Sequence, residues 1–396
     1  SNNDSGTSNT LFGDSCADSL DAGSNYNVFI GKSVATGSLN DASDNVGIGF
    51  ESMKALIQGD DNVALGMRTL LDLEDGSNNT AIGDSVLRAC VDASDNTAVG
   101  AYAMDATTTG NNNVAMGKNA LGNTADVDRC VAIGSAAMSQ SNITSAADGT
   151  VGIGYFALGN LTTGGNNVAV GNSALIGHTT GHRNIAIGRD AMGDTDEGTD
   201  SASSSDNIFI GMQAGGGAWA DTTCEYNIGI GSYALDGQLS DADSNIAMGY
   251  NALTALNSGD ANVAIGHQVG TSVSSGTTNV LIGYQAGTDT VALSTGSNNV
   301  CIGTNTRTSA NDGQHQIVIG HNISGTGNED FAFGKASNVV SNDFDADADW
   351  SRSSDVRLKR NIQDLNLGLD FINDLRPVTF KWKPSNEVPK EMTSEY

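Results

Sequence analysis

The sequence predicts an all-β chain built as a parallel β-roll or β-helix solenoid of about 19 repeats of about 17 residues. Three observations carry that prediction. A glycine recurs at positions 13, 31, 49, 66, 83, 100, 117, 134, 154, 171, 188, 211, 231, 249, 266, 283, 303, 320 and 334, with 17 residues the commonest spacing. The residue before that glycine is apolar in every repeat, from Phe12 to Phe333, and the residue four before it is Asn in 15 of the 19. The first 350 residues also contain no proline, although average usage of about 5% would place well over ten there. A missing backbone N–H is evidently not tolerated in that span.

Each repeat can be read in order, most cleanly in "NNVAVGNSAL" (166–175), "RNIAIGRDAM" (183–192) and "ANVAIGHQVG" (261–270). Counting from the glycine, position −3 is nearly always Val, Ile or Thr, and position −2 is usually Ala or Gly, as at Ala64, Ala81, Gly152 and Ala264. Alternation with β-branched residues means a short strand. One of its faces is apolar, and the other carries Asn and a small residue. A second apolar site follows at +3 and +4, as in Ala103–Met104, Ala120–Leu121, Ala174–Leu175 and Ala252–Leu253, and reads as a second short strand. The repeat then closes on a turn of Gly, Asn, Asp, Ser and Thr.

No repeat can bury its own apolar positions, so the coils must stack. In register, the Asn side chains form a ladder from coil to coil, as amides do in other stacked β structures. Every coil then donates to the next, which explains the missing prolines. At about 4.8 Å per coil the stack makes a rod of roughly 85 Å.

Composition narrows the function classes. A net charge of −28 repels nucleic acid and anionic membranes as partners. With aromatics at 5% and 50 glycines, a large aromatic-packed core is excluded. No apolar run reaches the ~18 residues of a membrane span, and the chain opens without a charged-plus-apolar leader. The expectation is a soluble piece of something longer, with no membrane insertion and no targeting signal of its own. The five cysteines (Cys16, Cys90, Cys130, Cys224, Cys301) form no CxxC and are odd in number. They read as small residues of a chain assembled in a reducing compartment, not as a disulfide framework or zinc site.

Candidate sites within the repeats are few. Asp-rich turns such as "DASDN" (41–45, 92–96) and "DADSN" (241–245) raise calcium, but the GGxGxDxUx pattern of calcium β-rolls is absent and solvated turn carboxylates account for them. The repeats after Gly134, Gly188, Gly211 and Gly283 are longer and must bulge. Among them, "GGGAWADTTCEY" (215–226) carries Trp219 and Tyr226, aromatics suited to stacking on a sugar; receptor contact and a loop tucked onto the rod are both open. No P-loop, Rossmann or nucleophile-elbow motif occurs.

The repeat resembles the NxVAIGxxA units in the heads of trimeric autotransporter adhesins, over residues 9 to about 338. That resemblance implies a left-handed parallel β-roll packed as a homotrimer. In such a trimer His178 and His182 ("GHTTGH") could meet near the threefold axis and hold a metal, although two histidines in a polar turn are more often plain surface residues. No metal and no cofactor are expected.

The closing stretch is different. Residues 1–350 hold 10 Lys+Arg against 39 Asp+Glu, residues 351–396 hold 8 against 7, and all three prolines lie in the second part. Through Ser354, Asp355, Arg357, Leu358, Lys359, Asn361, Ile362, Leu365, Gly368, Leu369, Ile372, Leu375, Arg376, Pro377, Phe380 and Trp382, it resembles the start of the C-terminal intramolecular chaperone of endosialidase-type phage tail spikes. From the residues alone, "NLGLDFINDL" (366–375) would read only as an amphipathic helix. The resemblance implies a small α/β domain that guides trimerisation and cuts itself off between Ser354 and Asp355, with Ser354 and Lys359 as a catalytic dyad. The domain order expected is a β-roll over 1–338, a linker over 339–353, and the N-terminal part of the chaperone domain over 354–396.

These readings converge on a structural, receptor-binding viral tail fibre or spike, most simply of a bacteriophage. It would reside on the virion and be extracellular when mature. Its partners would be two further copies of itself, a glycan or protein receptor on the host surface, and other virion proteins through an upstream region. No turnover enzyme is expected, only single self-cleavage. The competing class, a cellular adhesin of the trimeric autotransporter type, should end in a coiled-coil stalk and a membrane barrel. A glycan-degrading tailspike, ranked third, needs paired carboxylates in a groove.

Overall fold

The computed structural model describes residues 8–194, 201–220, 222–288, 292–345 and 351–352. The chain divides into two units, Ser1–Ser353 and Ser354–Tyr396, and every described residue belongs to the first.

That unit is an all-β parallel solenoid of nineteen coils. Its helical content among the described residues is two single turns of 3-10 helix, at Ser145–Ala147 and Ser201–Ser203. Each coil contributes one short strand, from β1 (Thr10–Phe12) to β19 (Asp330–Lys335), that ends just before the corner glycine or, in the last three coils, one residue past it, and consecutive strands pair in parallel. Register is set by the repeat: Val63 pairs with Thr80, Ala64 with Ala81 and Leu65 with Ile82. In the stretch 339–353, expected as a linker, the strand β20 (Asn338–Asp343) turns back and pairs antiparallel with β19. A hairpin in that place covers what would otherwise be an open parallel edge.

The face of the strand that points inward is the one carrying Asn and the small residue. Position −2 is fully buried, as at Ala64, Ala98 and Ala264, and so are the Asn residues at −4. Where −2 is large, a neighbour is small: a Cβ at Gly229 would lie 2.6 Å from the Phe209 ring, and one at Gly47 would lie 3.0 Å from that of Phe29. The second apolar site completes the core, with Ala103, Met104, Ala120 and Leu121 buried.

That second site is not a strand. The expectation of a second β segment fails because residues +2 and +4 both take left-handed backbone, as at Tyr102 (φ 60°) and Met104 (φ 52°) or Asn119 (φ 56°) and Leu121 (φ 53°). Such a conformation costs an L-residue about 1–2 kcal/mol. Hydrogen bonds to both neighbouring coils offset it: Tyr102 N donates back to Asp84 O at 2.9 Å, and Met104 N donates forward to Ala120 O at 3.0 Å.

The corner itself admits only glycine. Gly266 has φ +141°, and a Cβ there would sit 2.3 Å from the carbonyl oxygen of Gly283 in the next coil. Its N–H donates to Met248 O of the preceding coil at 2.8 Å. Proline is excluded by the same geometry, because N–H groups on the strand, the corner and both turns are spent on adjacent coils.

Candidate functional site

Two ladders organise the polar residues. In the inner one, an Asn at −4 accepts at Oδ1 from the next coil's Asn and donates back to that of the preceding coil. Asn262 N–H and Nδ2 both donate to Asn245 Oδ1 at 3.0 Å, while Asn262 Nδ2 also donates to Gly276 O at 2.8 Å. Such an amide inside a coil is fully satisfied, which is what burial demands of it.

The outer ladder runs along the turns at position −6, and the sequence reading missed it. The backbone N–H of Ser43 donates to Asp60 Oδ1 at 2.6 Å, that of Asn111 to Asp128 Oδ1 at 2.7 Å, and that of Glu225 to Asp243 Oδ1 at 2.7 Å. Ser77, Ser94 and Asn111 serve as acceptors in the same way. The signal was present as a small acceptor recurring two residues before the Asn. It was hidden because Asp, Ser and Asn share the role. These turn carboxylates therefore cap backbone N–H groups, and among the described residues no group of three or more His, Cys, Asp or Glu is arranged to hold a metal.

The histidine pair is not a surface pair. His178 is completely buried, with Asn184 Nδ2 at 3.0 Å from its Nε2 and no partner for its Nδ1. Burial, above all, pushes its imidazole down to about 4. Gly181 makes room for the ring, since a Cβ there would lie 2.2 Å from Nε2. His182 instead accepts from Gly165 N–H at 2.9 Å through Nδ1. The cysteines are all free, and burial pushes the Cys90 and Cys301 thiols up to about 12, so these two pack as inert small residues.

The loop residues singled out for receptor contact part company. Trp219 is wholly buried: its indole N–H donates to Gly215 O at 3.0 Å, and its ring meets Phe209 edge-on at 5.8 Å. This half of the loop is tucked into the rod, so the Trp219 ring offers no face to a sugar. Tyr226 is 58% exposed.

The outside of the strand is where apolar side chains meet solvent. Positions −3 and −1 point away from the core, and Leu65, Met116, Ile187, Met248, Ile265 and Ile319 are each 36–44% exposed. An apolar sheet face repeated over nineteen coils far exceeds the patches a soluble monomer normally leaves in water. Beside it, Tyr250, His267 and Tyr284 stack at ring spacings of 5.2 and 5.5 Å. Among the described residues no helix is long and apolar enough to cross a membrane.

Ser354, Asp355 and Lys359, with the rest of the closing stretch, lie outside the described residues. Residues 354–394 match the family model described as chaperone of endosialidase. No curated protein and no solved structure gives a significant match to the chain. The chain thus joins a parallel β-solenoid to a segment of the endosialidase-chaperone type, a combination that fits a tail-fibre-like protein.

Proposed function

We propose that this chain is the host-contacting shaft of a bacteriophage tail fibre or spike. In this reading three copies pack through the apolar −3/−1 faces, and the C-terminal segment guides their assembly. The observation that carries it is the match of residues 354–394 to the endosialidase chaperone directly after a solenoid with an uncovered apolar face. A nineteen-coil non-local β assembly folds slowly and has nineteen nearly equivalent registers to choose from, so a separate assembly domain has a physical task.

The segment is then removed at Ser354–Asp355. A Ser354 hydroxyl attacking its own carbonyl would close a strained four-membered ring, so water is the nucleophile. Its hydroxyl adds to the Ser354 carbonyl carbon, the C–N bond breaks, and the proton goes to the Asp355 nitrogen. Lys359 acts as base, as a Lys can once its pKa is lowered, with Ser354 relaying the proton.

Intact-mass measurement of full-length protein tests this. A fragment beginning at Asp355 is expected in wild type and absent in Ser354→Ala and Lys359→Ala, with both variants still trimeric. An uncut bond in assembled wild-type trimers overturns the processing step, and a monomer overturns the fibre reading.

A further inference from the structure

The two polar ladders are committed to neighbouring coils, and a cluster of polar side chains lies outside both. A notch of about 210 Å³ opens on the side of the coils, lined by Tyr102, Asp105, Asn119, Gly122, Asn123 and Ser139. Within that lining Gly122 occupies position +5, where the coils on either side carry Asp105 and Ser139 and others carry Leu71, Arg88, Ile176 or again glycine, as at Gly159, Gly193 and Gly216.

The groups around the notch are chemically idle. The Tyr102 phenol, the Asn119 carboxamide and the Ser139 hydroxyl make no hydrogen bond to the described chain. The Asp105 carboxylate, its own amide apart, has only the Arg88 guanidinium, at 3.7 Å. Asn123 is held in place, its Nδ2 donating to Ser139 O at 2.6 Å, which leaves its Oδ1 as an acceptor. Tyr102 is 41% exposed, so a ring face is available beside a converging set of donors and acceptors.

We propose that this notch binds one neutral hexose residue of a host-surface polysaccharide. Its size is below the roughly 300–1,000 Å³ that accommodates a drug-sized ligand, and suits a single sugar ring. An apolar ligand would strand the polar lining without partners. An anionic sugar would meet Asp105 in a chain of net charge −28, repelled locally and at long range. Hydroxyls around a ring instead satisfy the Asp105 and Asn123 acceptors and the Tyr102, Asn119 and Ser139 donors, while a C–H face stacks on Tyr102. Burial pushes the Asp105 carboxyl above its usual range and Arg88 opposes this, as expected of a partly desolvated acceptor. One site of this kind binds weakly, and copies on an oligomer engaging a repeating polymer supply avidity.

The proposal rests on the host-contact reading above, and the experiment separates the two. Ligand-observed NMR on the purified chain, with methyl glycosides of glucose, galactose and mannose and with N-acetylneuraminic acid as the anionic probe, is expected to give a dissociation constant of roughly 1–10 mM for at least one neutral hexose. Gly122→Leu fills the notch with a side chain that Leu71 shows the coil can carry, and should weaken binding at least ~10-fold with melting unchanged. Asn119→Ala, at an exposed position outside both ladders, should weaken it too and serves if the first variant fails to fold. Binding unaffected by both variants, binding of the anionic sugar alone, or no neutral hexose bound overturns the notch. No binding by a protein that still adsorbs to host cells removes the notch and leaves the fibre. Binding by a protein that adsorbs to no host supports the notch and removes the fibre.

Discussion

Coils from Asn207 to Asn299 and coils from Asn113 to Asn167 share the same strand geometry and differ at the inner ladder. In the first stretch every −4 residue is Asn. Asn245, for example, donates to Asn227 Oδ1 through N–H and Nδ2 at 3.0 and 3.1 Å, to Asp243 O at 3.1 Å and to Gly259 O at 2.8 Å. In the second the ladder meets Cys130 and Thr150. Cys130 N–H still donates to Asn113 Oδ1 at 2.9 Å, but its Sγ reaches Ala147 O only at 3.6 Å, and Asn167 N–H finds Thr150 Oγ1 only at 3.5 Å. The hydroxyls of Thr107 and Thr124 are buried close by without partners. Yet Val131 pairs with Val151, and Val151 with Val168, in unbroken register. The strands alone keep register, and the ladder contributes stability on top of it.

The largest effect should come from charging the continuous stretch. Asn262→Asp replaces a donor to Asn245 Oδ1 and Gly276 O by a carboxylate facing two acceptors. A cost of about 3–5 kcal/mol per chain is expected, seen as a lower midpoint in thermal or denaturant melts. An unchanged midpoint removes the ladder as a stabilising element.

Acid should strike near the other stretch. His178 is neutral and buried when folded, at about 4 against an ordinary 6.5, so between those values the unfolded chain binds the extra proton. Its contribution is complete above about pH 6.5 and is lost as pH falls through about 4, roughly 3 kcal/mol in all. His178→Leu should flatten that part of the stability profile, since Leu161 and Leu256 occupy the equivalent buried position. A profile with the same slope in wild type and variant assigns the acid sensitivity elsewhere.

The smallest effect is a gain. Completing the ladder with Cys130→Asn and Thr150→Asn together should stabilise by about 1–2 kcal/mol, the worth of the restored net hydrogen bonds. No gain in melting midpoint would mean that the break is already compensated by the longer coil between Gly134 and Gly154.

Strand and corner glycine were legible because each sits at one fixed offset in every coil, and the Asn because it holds its offset in 15 of the 19. The turns at +2 and +4 were not, because residues such as Met104 and Leu121 carry no mark of left-handed backbone; neighbouring coils impose it. The buried Asn ladder was expected, but that the −3 and −1 residues would then point outward was hidden. Val and Ile at −3 and −1 look like core until the Asn face is seen buried. Trp219 looked like a ligand platform because its burial depends on Phe209, across the interior of the same coil. The notch left no mark in the sequence, because Gly122 is one of 50 glycines and shares its +5 position with Gly159, Gly193 and Gly216. The closing stretch was readable only by its dense residue match, and the geometry of Ser354 and Lys359 lies outside the described residues.

The central claim is that the outward apolar stripe is an interface between copies of this chain. A solution structure of the full-length assembly by electron cryomicroscopy tests it most directly. The account predicts three chains in parallel, with Val63, Leu65, Val263 and Ile265 of each buried against the others along the whole rod. A monomer, or an assembly in which those residues face solvent, would contradict it.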